Sequence, residues 1–578
     1  EDKDPEAQKQ LEKLKRQRDE AVAKVQALTA DHEKKIRDHQ QRTTEAILAE
    51  IEKIRKDGVQ KEELDRAKHK TVASVVYGSQ TAHATAGRLA SDFIVTGNPD
   101  YMHHYARAIK SIDAKDVRTA ARKFLVDRKR MTARLLPQRG AMSGLKRPQG
   151  EPQIDLSGPV KKIELDNQRL VRTFEKLPEA RTDLTAPDIG PMTMFRLDNG
   201  LRVIHQRSTR LPIVTAQWYE LGGLLGEEPG SEGTANAVSQ MMLKGAGGLS
   251  ADQIAATLEG LGARMSSASG RNTRYVSAQC LSGDQGQLVE LMAKVITKPD
   301  FPDAEWQKMR PRLLAEIDSI NDQWYLQLRV SFRERFFGTG HPWSQPVVGR
   351  REVVKKLTVE DLRRYHRDHL GAAGSALAIF GDLTLDEAKK LAAQHFTAMP
   401  ERSATPFAPP ATPPVRSRIE QVLSNKPMAA VQLGYGPGLA RDNPDYPALL
   451  VMNRVLSSFP VGWFDQALRG KGPGLVYAVG AGTTTGVRPG YWAVMFNTKP
   501  ETVDQALGRS LEKIDQIRNQ PIDADTLERA RTKVLTTEAT GRQSISQRAT
   551  QAVLDELYGL GFKNNQRFIE RVRSVSVE

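Results

Sequence analysis

A short helical stretch near the middle of the chain has the spacing of a metal site. Asn236 and Gln240 lie four residues apart, so both side chains face the same side of a helix, and Ser239 precedes Gln240. Two imidazoles at such positions, with one distant carboxylate, would bind zinc and leave a fourth position for water. A carboxylate between them would accept the proton of that water. Amides are poor zinc ligands and serine is not a base near neutral pH, so the stretch has this spacing without the ligands.

The segments around this stretch resemble the pitrilysin, insulysin and mitochondrial processing peptidase family, whose zinc motif is H-x-x-E-H. The resemblance covers the strand-like run 194–204, the run 211–214, the glycine turn and helix at 230–245, and the run 258–263. In that frame the five motif positions are residues 236–240, and both histidines and the glutamate are replaced. The resemblance therefore implies the family's fold with a degenerate zinc motif, and no catalytic residue is assigned in this chain.

Glu316 falls about 75 residues after Gln240, where the family places its third zinc ligand. An exposed glutamate on a charged helix is the plainer interpretation, and a residual role in metal binding is the alternative. The resemblance implies that the visible unit binds no cofactor and that zinc is held by a metal-bearing half, either in the same protein or in a partner chain.

A second part of the resemblance lies at residues 468–479, which look like the helix end, glycine turn and strand that carry an arginine and a tyrosine in the family. The resemblance implies that Arg469 and Tyr477 contact the substrate backbone or stabilise the oxyanion. The alternative is that Arg469 caps a helix C-terminus and Tyr477 is an ordinary strand aromatic. Both interpretations stay open at this stage.

The remaining histidines and the single cysteine show no metal pattern. His366 and His369 form one of the few close groupings, without a carboxylate or cysteine at a diagnostic spacing, and we expect them at the surface or at an interface. Cys280 rules out an internal disulfide and is expected to be a small core residue.

The composition excludes two classes of partner or location. The 578 residues carry a formal charge of +15, but the basic residues are spread among acidic ones, so no nucleic-acid surface is predicted. No apolar run approaches the roughly 18 residues that a membrane-spanning helix needs, so no transmembrane segment is predicted.

An internal repeat at an interval of about 460 residues organises the chain, because residues 52–54 match 512–514 and Tyr105 matches Phe568. The predicted divisions are a charged helical segment at 1–45, the C-terminal part of a first peptidase-like unit at 46–137, a proline-rich linker at 138–190, the first domain of a second unit at 191–400, a linker at 401–416, and the C-terminally incomplete second domain of that unit at 417–578.

Strand-like runs, among them 429–435 and 491–496, alternate with longer helical patterns, among them 359–369 and 503–520. This alternation predicts an α+β fold, with helices packed on a mainly antiparallel sheet. The resemblance implies that such two-layer domains repeat in two units, joined by a hinge linker and closing like a clamshell around a peptide or unfolded protein. Two functions stay open: the non-metal, substrate-binding half of a peptide-degrading or processing zinc endopeptidase, or a catalytically inactive scaffold or peptide-binding subunit of a larger assembly. A periplasmic or extracellular location is expected from relatives, with the cytoplasm as the alternative.

Overall fold

The computed structural model describes most of the chain from residue 38 to 126 and from residue 189 onwards. The described residues are 16, 20, 35, 38–126, 130–131, 189–338, 340–402, 419–423, 426–469 and 474–578. The chain divides into two compact units, a smaller one of residues 1–64 and 112–186 and a larger one of residues 65–111 and 187–578.

Helices outnumber strands among the described residues of both units. The described α-helices are α1 (Lys61–Tyr77), α2 (Ala82–Thr96), α3 (Tyr101–Ser111), α4 (Ala114–Phe124), α5 (Thr234–Met241), α6 (Ala251–Gly260), α7 (Gln285–Thr297), α8 (Asp303–Ser319), α9 (Trp324–Phe337), α10 (Arg351–Val354), α11 (Val359–His369), α12 (Leu385–Phe396), α13 (Tyr446–Leu456), α14 (Trp463–Leu468), α15 (Val503–Asn519), α16 (Ala524–Thr540), α17 (Ile545–Leu557) and α18 (Asn564–Arg573). The described strands are β1 (Thr193–Arg196), β2 (Arg202–Arg207), β3 (Ile213–Leu221), β4 (Gly245–Ala246), β5 (Leu249–Ser250), β6 (Arg264–Ser269), β7 (Thr273–Leu281), β8 (Ser375–Gly381), β9 (Ala429–Tyr435), β10 (Val476–Thr484) and β11 (Tyr491–Thr498).

The smaller unit is helical where it is described. α4 begins with a capping box, in which the side chains of Asp113 and Asp116 each accept a backbone N–H of the other at 2.8 and 2.9 Å. Nε of Arg122 donates to the carbonyl of Arg55 at 2.8 Å, which ties α4 to the helical run over residues 38–57.

A six-stranded sheet forms the centre of the first domain of the larger unit. Its order is β1-β2-β8-β3-β7-β6, and all neighbours are antiparallel except β2 and β8. Every residue of β8 is buried, and its apolar sequence is typical of a strand that is covered on both faces. The strands β1 and β6 are therefore the edges of this sheet.

Alternate residues of these strands enter two separate cores, because successive side chains of a strand point to opposite faces. Val203, Val214 and Leu377 pack on one face with helices α5, α7, α8, α11 and α12. Ile204 and Phe380 pack on the other face with α17 and the end of α1. Burial of one such side chain contributes about 1.5–3 kcal/mol. The helix α17 lies between α16 and α18 in sequence, far from the strands of this sheet, yet it covers one face of the sheet.

The second domain has a smaller sheet with the order β10-β11-β9, in which both pairs are antiparallel. Helices α13, α14 and α15 cover this sheet, where Phe464, Val494, Phe496 and Ile514 are buried together. Helices α16 and α18 pack on α13 in a further apolar cluster. The predicted α+β class, with helices packed on a mainly antiparallel sheet, is confirmed.

Three consecutive helices occur twice along the chain. The first set, α1, α2 and α3, begins at Lys61, Ala82 and Tyr101, and the second set, α16, α17 and α18, begins at Ala524, Ile545 and Asn564, which is 463 residues later each time. Equal offsets are what the duplication of a large unit produces.

The predicted elements agree closely with the observed ones. The predicted strand 429–435 and helix 359–369 have the observed bounds, whereas α7 and α9 are helices for which the sequence pattern made no prediction. Residues 38–45 of the predicted helical segment 1–45 are helical, whereas most of the rest of that segment and of the two linkers lies outside the described residues. The domain boundaries stay predictions.

Candidate functional site

The helix α5 carries the five motif positions, and a buried carboxylate holds its beginning. Oε1 of Glu227 accepts the backbone N–H groups of Gly233 and Ala235 at 3.0 and 2.8 Å. These N–H groups lie in the first turn, where a helix has no internal acceptor for them. Gly233 has a φ of 100°, and a Cβ there would lie 2.8 Å from the backbone of Gly349, so glycine is required.

The two amides at the former histidine positions meet on one side of α5. Nε2 of Gln240 donates to Oδ1 of Asn236 at 3.4 Å. Asn236 is buried, and its Nδ2 has no acceptor among the described residues. Ser239 is fully buried and donates to the carbonyl of Ala235 at 2.9 Å, so its hydroxyl is engaged by the helix itself. The i, i+4 spacing thus brings the predicted pair together as an amide contact.

These residues do not fit a zinc ion. Glu316 lies exposed on α8, and its backbone carbonyl accepts the hydroxyl of Ser319 at 2.7 Å. Within the described ranges, no three His, Cys, Asp or Glu side chains are grouped closely enough to hold a metal. The donor set at α5 consists of two amides that bond to each other, and amides are poor zinc ligands.

The edge strand β6 lies against α5, and Ser267 Oγ donates to Sδ of Met242, the residue after α5, at 3.8 Å. On its other side β6 has no partner strand among the described residues. Its last four residues, 266–269, have only small side chains. A free sheet edge with small side chains allows the backbone of an extended peptide to approach and pair.

Arg469 and Tyr477 lie in the second domain. Tyr477 is 81% exposed and lies at a bulge in β10, which directs its side chain away from the sheet. Arg469 follows α14, with Nη1 at 3.9 Å from Oδ1 of Asp465 and its guanidinium 4.9 Å from the ring centre of Phe459. No contact joins Arg469 to Tyr477 in the described part of the chain, and residues 470–473 between them lie outside it.

Two family models match the chain in succession. Residues 202–341 match the insulinase model of peptidase family M16, and residues 356–534 match the model described as the peptidase M16 inactive domain. The chain belongs to the M16 peptidase family. The resemblance to pitrilysin, insulysin and the processing peptidases is thereby confirmed.

Curated M16 relatives include subunits of large assemblies and a protease. Subunit 1 of the mitochondrial cytochrome b-c1 complex of Bos taurus is 28% identical over 46% of this chain and 55% of that protein. The probable β subunit of the mitochondrial processing peptidase of Arabidopsis thaliana is 22% identical over 53% and 57%, respectively. An uncharacterised zinc protease of Streptomyces coelicolor is 24% identical over 59% and 75%. The chain spans about half the length of the mitochondrial relatives it matches.

Solved structures agree on the M16 fold. An M16 inactive domain from Pseudomonas fluorescens superposes with a TM-score of 0.60 at 21% identity, over 67% of this chain and 92% of that one. A protease from Helicobacter pylori superposes with a TM-score of 0.58 at 16% identity, over 67% and 94%.

The prediction that His366 and His369 are surface or interface residues is wrong for His366 and incomplete for His369. His366 is buried, its Nε2 lies 2.8 Å from the carbonyl of Ile296, and burial together with the charge of Arg274 lowers its pKa to about 3. The ring of His369 stacks on Tyr365 at 3.9 Å between centroids. α11 therefore directs both histidines towards the core of the domain. The charged residues around them in the sequence gave no indication of this burial.

The Glu227 carboxylate makes the stability of this M16 domain depend on pH. Burial raises its pKa from 4.5 to about 8, although the N–H groups of Gly233 and Ala235 act in the opposite direction. Across that interval the folded state holds a proton that the unfolded state releases. The free energy of unfolding should therefore fall as the pH rises from about 4.5 to about 8.

We expect Glu227→Gln to flatten this slope while its amide oxygen keeps the helix cap. Urea midpoints measured over the same pH interval test this expectation, with the exposed neighbour Glu228→Gln as the matched control. Parallel slopes in all three proteins would contradict it.

Proposed function

We propose that the described M16 unit is the non-metal, substrate-binding half of a protein that degrades or processes peptides. One observation carries the proposal: α5 lies against the edge strand β6, and Asn236 and Gln240 form an amide contact at the positions of the family's zinc ligands. Peptide binding needs the sheet edge and not the metal. Catalysis would then take place in a metal-bearing half that belongs to the same protein or to a partner chain.

The substrate in this proposal is a peptide or an unfolded protein that pairs as an extended strand with β6. Backbone hydrogen bonds to a sheet edge are independent of side-chain identity, whereas flanking side chains select among sequences. Tyr477 and Arg469 would supply contacts from the second domain, and the exposure of Tyr477 leaves its hydroxyl available for them.

An exposed apolar face on α2 supports the proposal that another half of the protein packs on this unit. Its counterpart α17 buries Val553 and Leu557 on the six-stranded sheet. The positions 463 residues earlier are Ala90 and Ile94, and both are exposed, Ile94 to 78%. An equivalent sheet in another domain would cover this apolar face.

A scaffold or peptide-binding subunit without any catalysis is the second candidate. The similarity to subunit 1 of the cytochrome b-c1 complex favours it, because the name of that relative describes a subunit of a larger complex. A periplasmic location belongs to the main proposal, and cell fractionation tests it separately.

Zinc content and peptide cleavage by the full-length protein distinguish the two candidates. Purified full-length protein, with any chain that co-purifies, would be analysed for zinc per chain and assayed with an unfolded protein before and after chelation. Stoichiometric zinc with chelator-sensitive cleavage supports the substrate-binding half and excludes the scaffold. Absence of both zinc and cleavage, with no partner chain, excludes the peptidase proposal.

Tyr477→Phe is expected to lower peptide turnover several-fold in the active assembly, because it removes one hydroxyl while keeping the ring. The melting temperature should remain unchanged, since the side chain is 81% exposed. Steady-state cleavage rates and thermal denaturation provide the two measurements. Unchanged turnover would remove Tyr477 from the site.

A further inference from the structure

Three arginines from separate parts of the first domain meet beyond the end of β6. Arg271 lies in the turn between β6 and β7, two residues after β6 ends. Arg329 and Arg333 lie one turn apart on α9, and Nε of Arg333 donates to the carbonyl of Arg329 at 3.1 Å. Leu225, whose N–H donates to the carbonyl of Arg271 at 3.1 Å, is buried in one apolar cluster with Phe337 of α9 and Tyr491 at the start of β11. Tyr491 also acts electrostatically on both Arg271 and Arg333.

The backbone around these side chains is held firmly. The turn that contains Arg271 accepts three backbone N–H groups from residues 222–225, at 2.9, 3.0 and 3.1 Å. On the α9 side, the rings of Phe332, Phe336 and Phe337 surround Tyr491, with centroids 5.0, 5.2 and 5.9 Å from its own. The guanidinium groups therefore project from fixed elements, so little further ordering is needed to bind a ligand.

These three charges have no acidic partner. No ion pair of the described residues includes any of them, in contrast to Arg274, which is buried beside Glu220. Arg333 is only 7% exposed, and Nε of Arg271 is buried without an acceptor. Burial and, to a smaller extent, the neighbouring arginines lower the pKa of both Arg271 and Arg333, that of Arg333 to about 10. Arg329 is exposed and Arg271 half-buried, so Arg333 is the buried charge of the three. Buried charges are normally paired, and Arg333 has no acidic partner among the described residues.

We propose that Arg271, Arg329 and Arg333 form a binding site for an oxyanion, and that its ligand is a carboxylate of the bound peptide. The identity of the ligand rests on the proposed function, because a strand that paired with β6 and continued past its end would reach the Arg271 turn. Guanidinium groups suit this ligand, since each presents N–H donors that match the geometry of two carboxylate oxygens. A side-chain carboxylate and a terminal carboxylate share this chemistry.

Thermal denaturation with pyrophosphate tests the oxyanion site without any peptide. An anion that binds only the folded protein raises the melting temperature. We expect pyrophosphate to raise it for the wild type and for Arg312→Gln, an exposed control on α8 with the same change of charge, but not for Arg329→Gln. Without added anion, we also expect the melting temperature of Arg333→Gln to be no lower than that of the wild type. Replacement of an arginine that only stabilises the fold would lower it. If pyrophosphate raises the melting temperature of all these proteins equally, or does not raise that of the wild type, the proposed oxyanion site is wrong.

Peptide binding then tests the ligand. An unfolded acidic peptide is compared with versions that carry Asn for Asp or a C-terminal amide, by fluorescence anisotropy at fixed ionic strength. We expect one neutralised version to bind the wild type about tenfold more weakly, as the loss of one charge-assisted bond predicts, and the difference to vanish in Arg329→Gln. The version that weakens identifies the carboxylate.

The outcomes separate this inference from the proposed function. If all three peptides bind equally, the carboxylate assignment is wrong although peptide binding stands. If no peptide binds but the pyrophosphate effect still depends on Arg329, the proposed function fails, the oxyanion site stands and its assignment to a peptide is overturned.

Discussion

Replacement of Arg274 by methionine is expected to lower the free energy of unfolding by about 3–5 kcal/mol, because it leaves Glu220 buried without its counter-charge. Nε of Arg274 lies 2.5 Å from Oε2 of Glu220, and the two side chains are 2% and 1% exposed. Burial raises the pKa of Glu220, and Arg274 is the largest opposing influence. Without the guanidinium, the carboxylate must take up a proton or remain an unpaired buried charge. The shift of the urea midpoint at neutral pH measures the loss.

Two controls test whether the loss of stability comes from the buried ion pair and not from the loss of any arginine. The double variant Glu220→Gln with Arg274→Met should recover most of the lost stability, since it removes both charges and leaves an oxygen for the N–H of Gly371, which now lies 2.8 Å from Oε1 of Glu220. Arg529→Met breaks an exposed pair with Asp525 on α16 and should change stability by less than about 0.5 kcal/mol. An Arg274→Met loss as small as that of Arg529→Met would contradict the account.

The double substitution Asn236→His with Gln240→His is expected to change zinc binding from none to about one ion per chain. The side chains at these positions already meet at 3.4 Å on one side of α5, so two imidazoles there would share a ligand position. The third ligand would be Glu316, the residue at the family's ligand position. Equilibrium dialysis followed by elemental analysis measures the occupancy at micromolar free zinc.

The same background tests the role of Glu316. Adding Glu316→Gln to the double-histidine variant should weaken zinc binding, because two ligands hold zinc less firmly than three. Unchanged affinity would exclude Glu316 as a ligand while leaving the α5 pair intact. Failure of the double-histidine variant to bind any zinc would show that α5 no longer has the geometry of a metal-binding helix.

Local patterns predicted a large part of the fold. The strands β9 and β11 and the helices α11 and α15 follow from alternation or helical spacing within short windows, and each lies where that spacing put it. The helix α9 was missed because apolar and charged residues are mixed around its circumference, which removes the periodic signal. Its position is determined by Phe332 and Phe337 packing with Tyr491 of the other domain, far away in sequence.

Some residues of the candidate site could be found from the sequence, and others only from the structure. Asn236, Ser239 and Gln240 were found from the sequence because their chemistry depends on residue type and a spacing of four. The cluster of Arg271, Arg329 and Arg333 gave no such signal, since Arg271 lies about 60 residues before the other two and reaches them only when α9 packs beside the β6–β7 turn.

The sequence by itself determined that α5 presents amides where zinc ligands would be, because residue types four apart on a helix share a side whatever surrounds it. Only the tertiary structure decided which charges are buried and which are paired, as for His366, Arg274 and Arg333. Burial and pairing arise from elements that are distant in the chain, and no local spacing records which of them will meet.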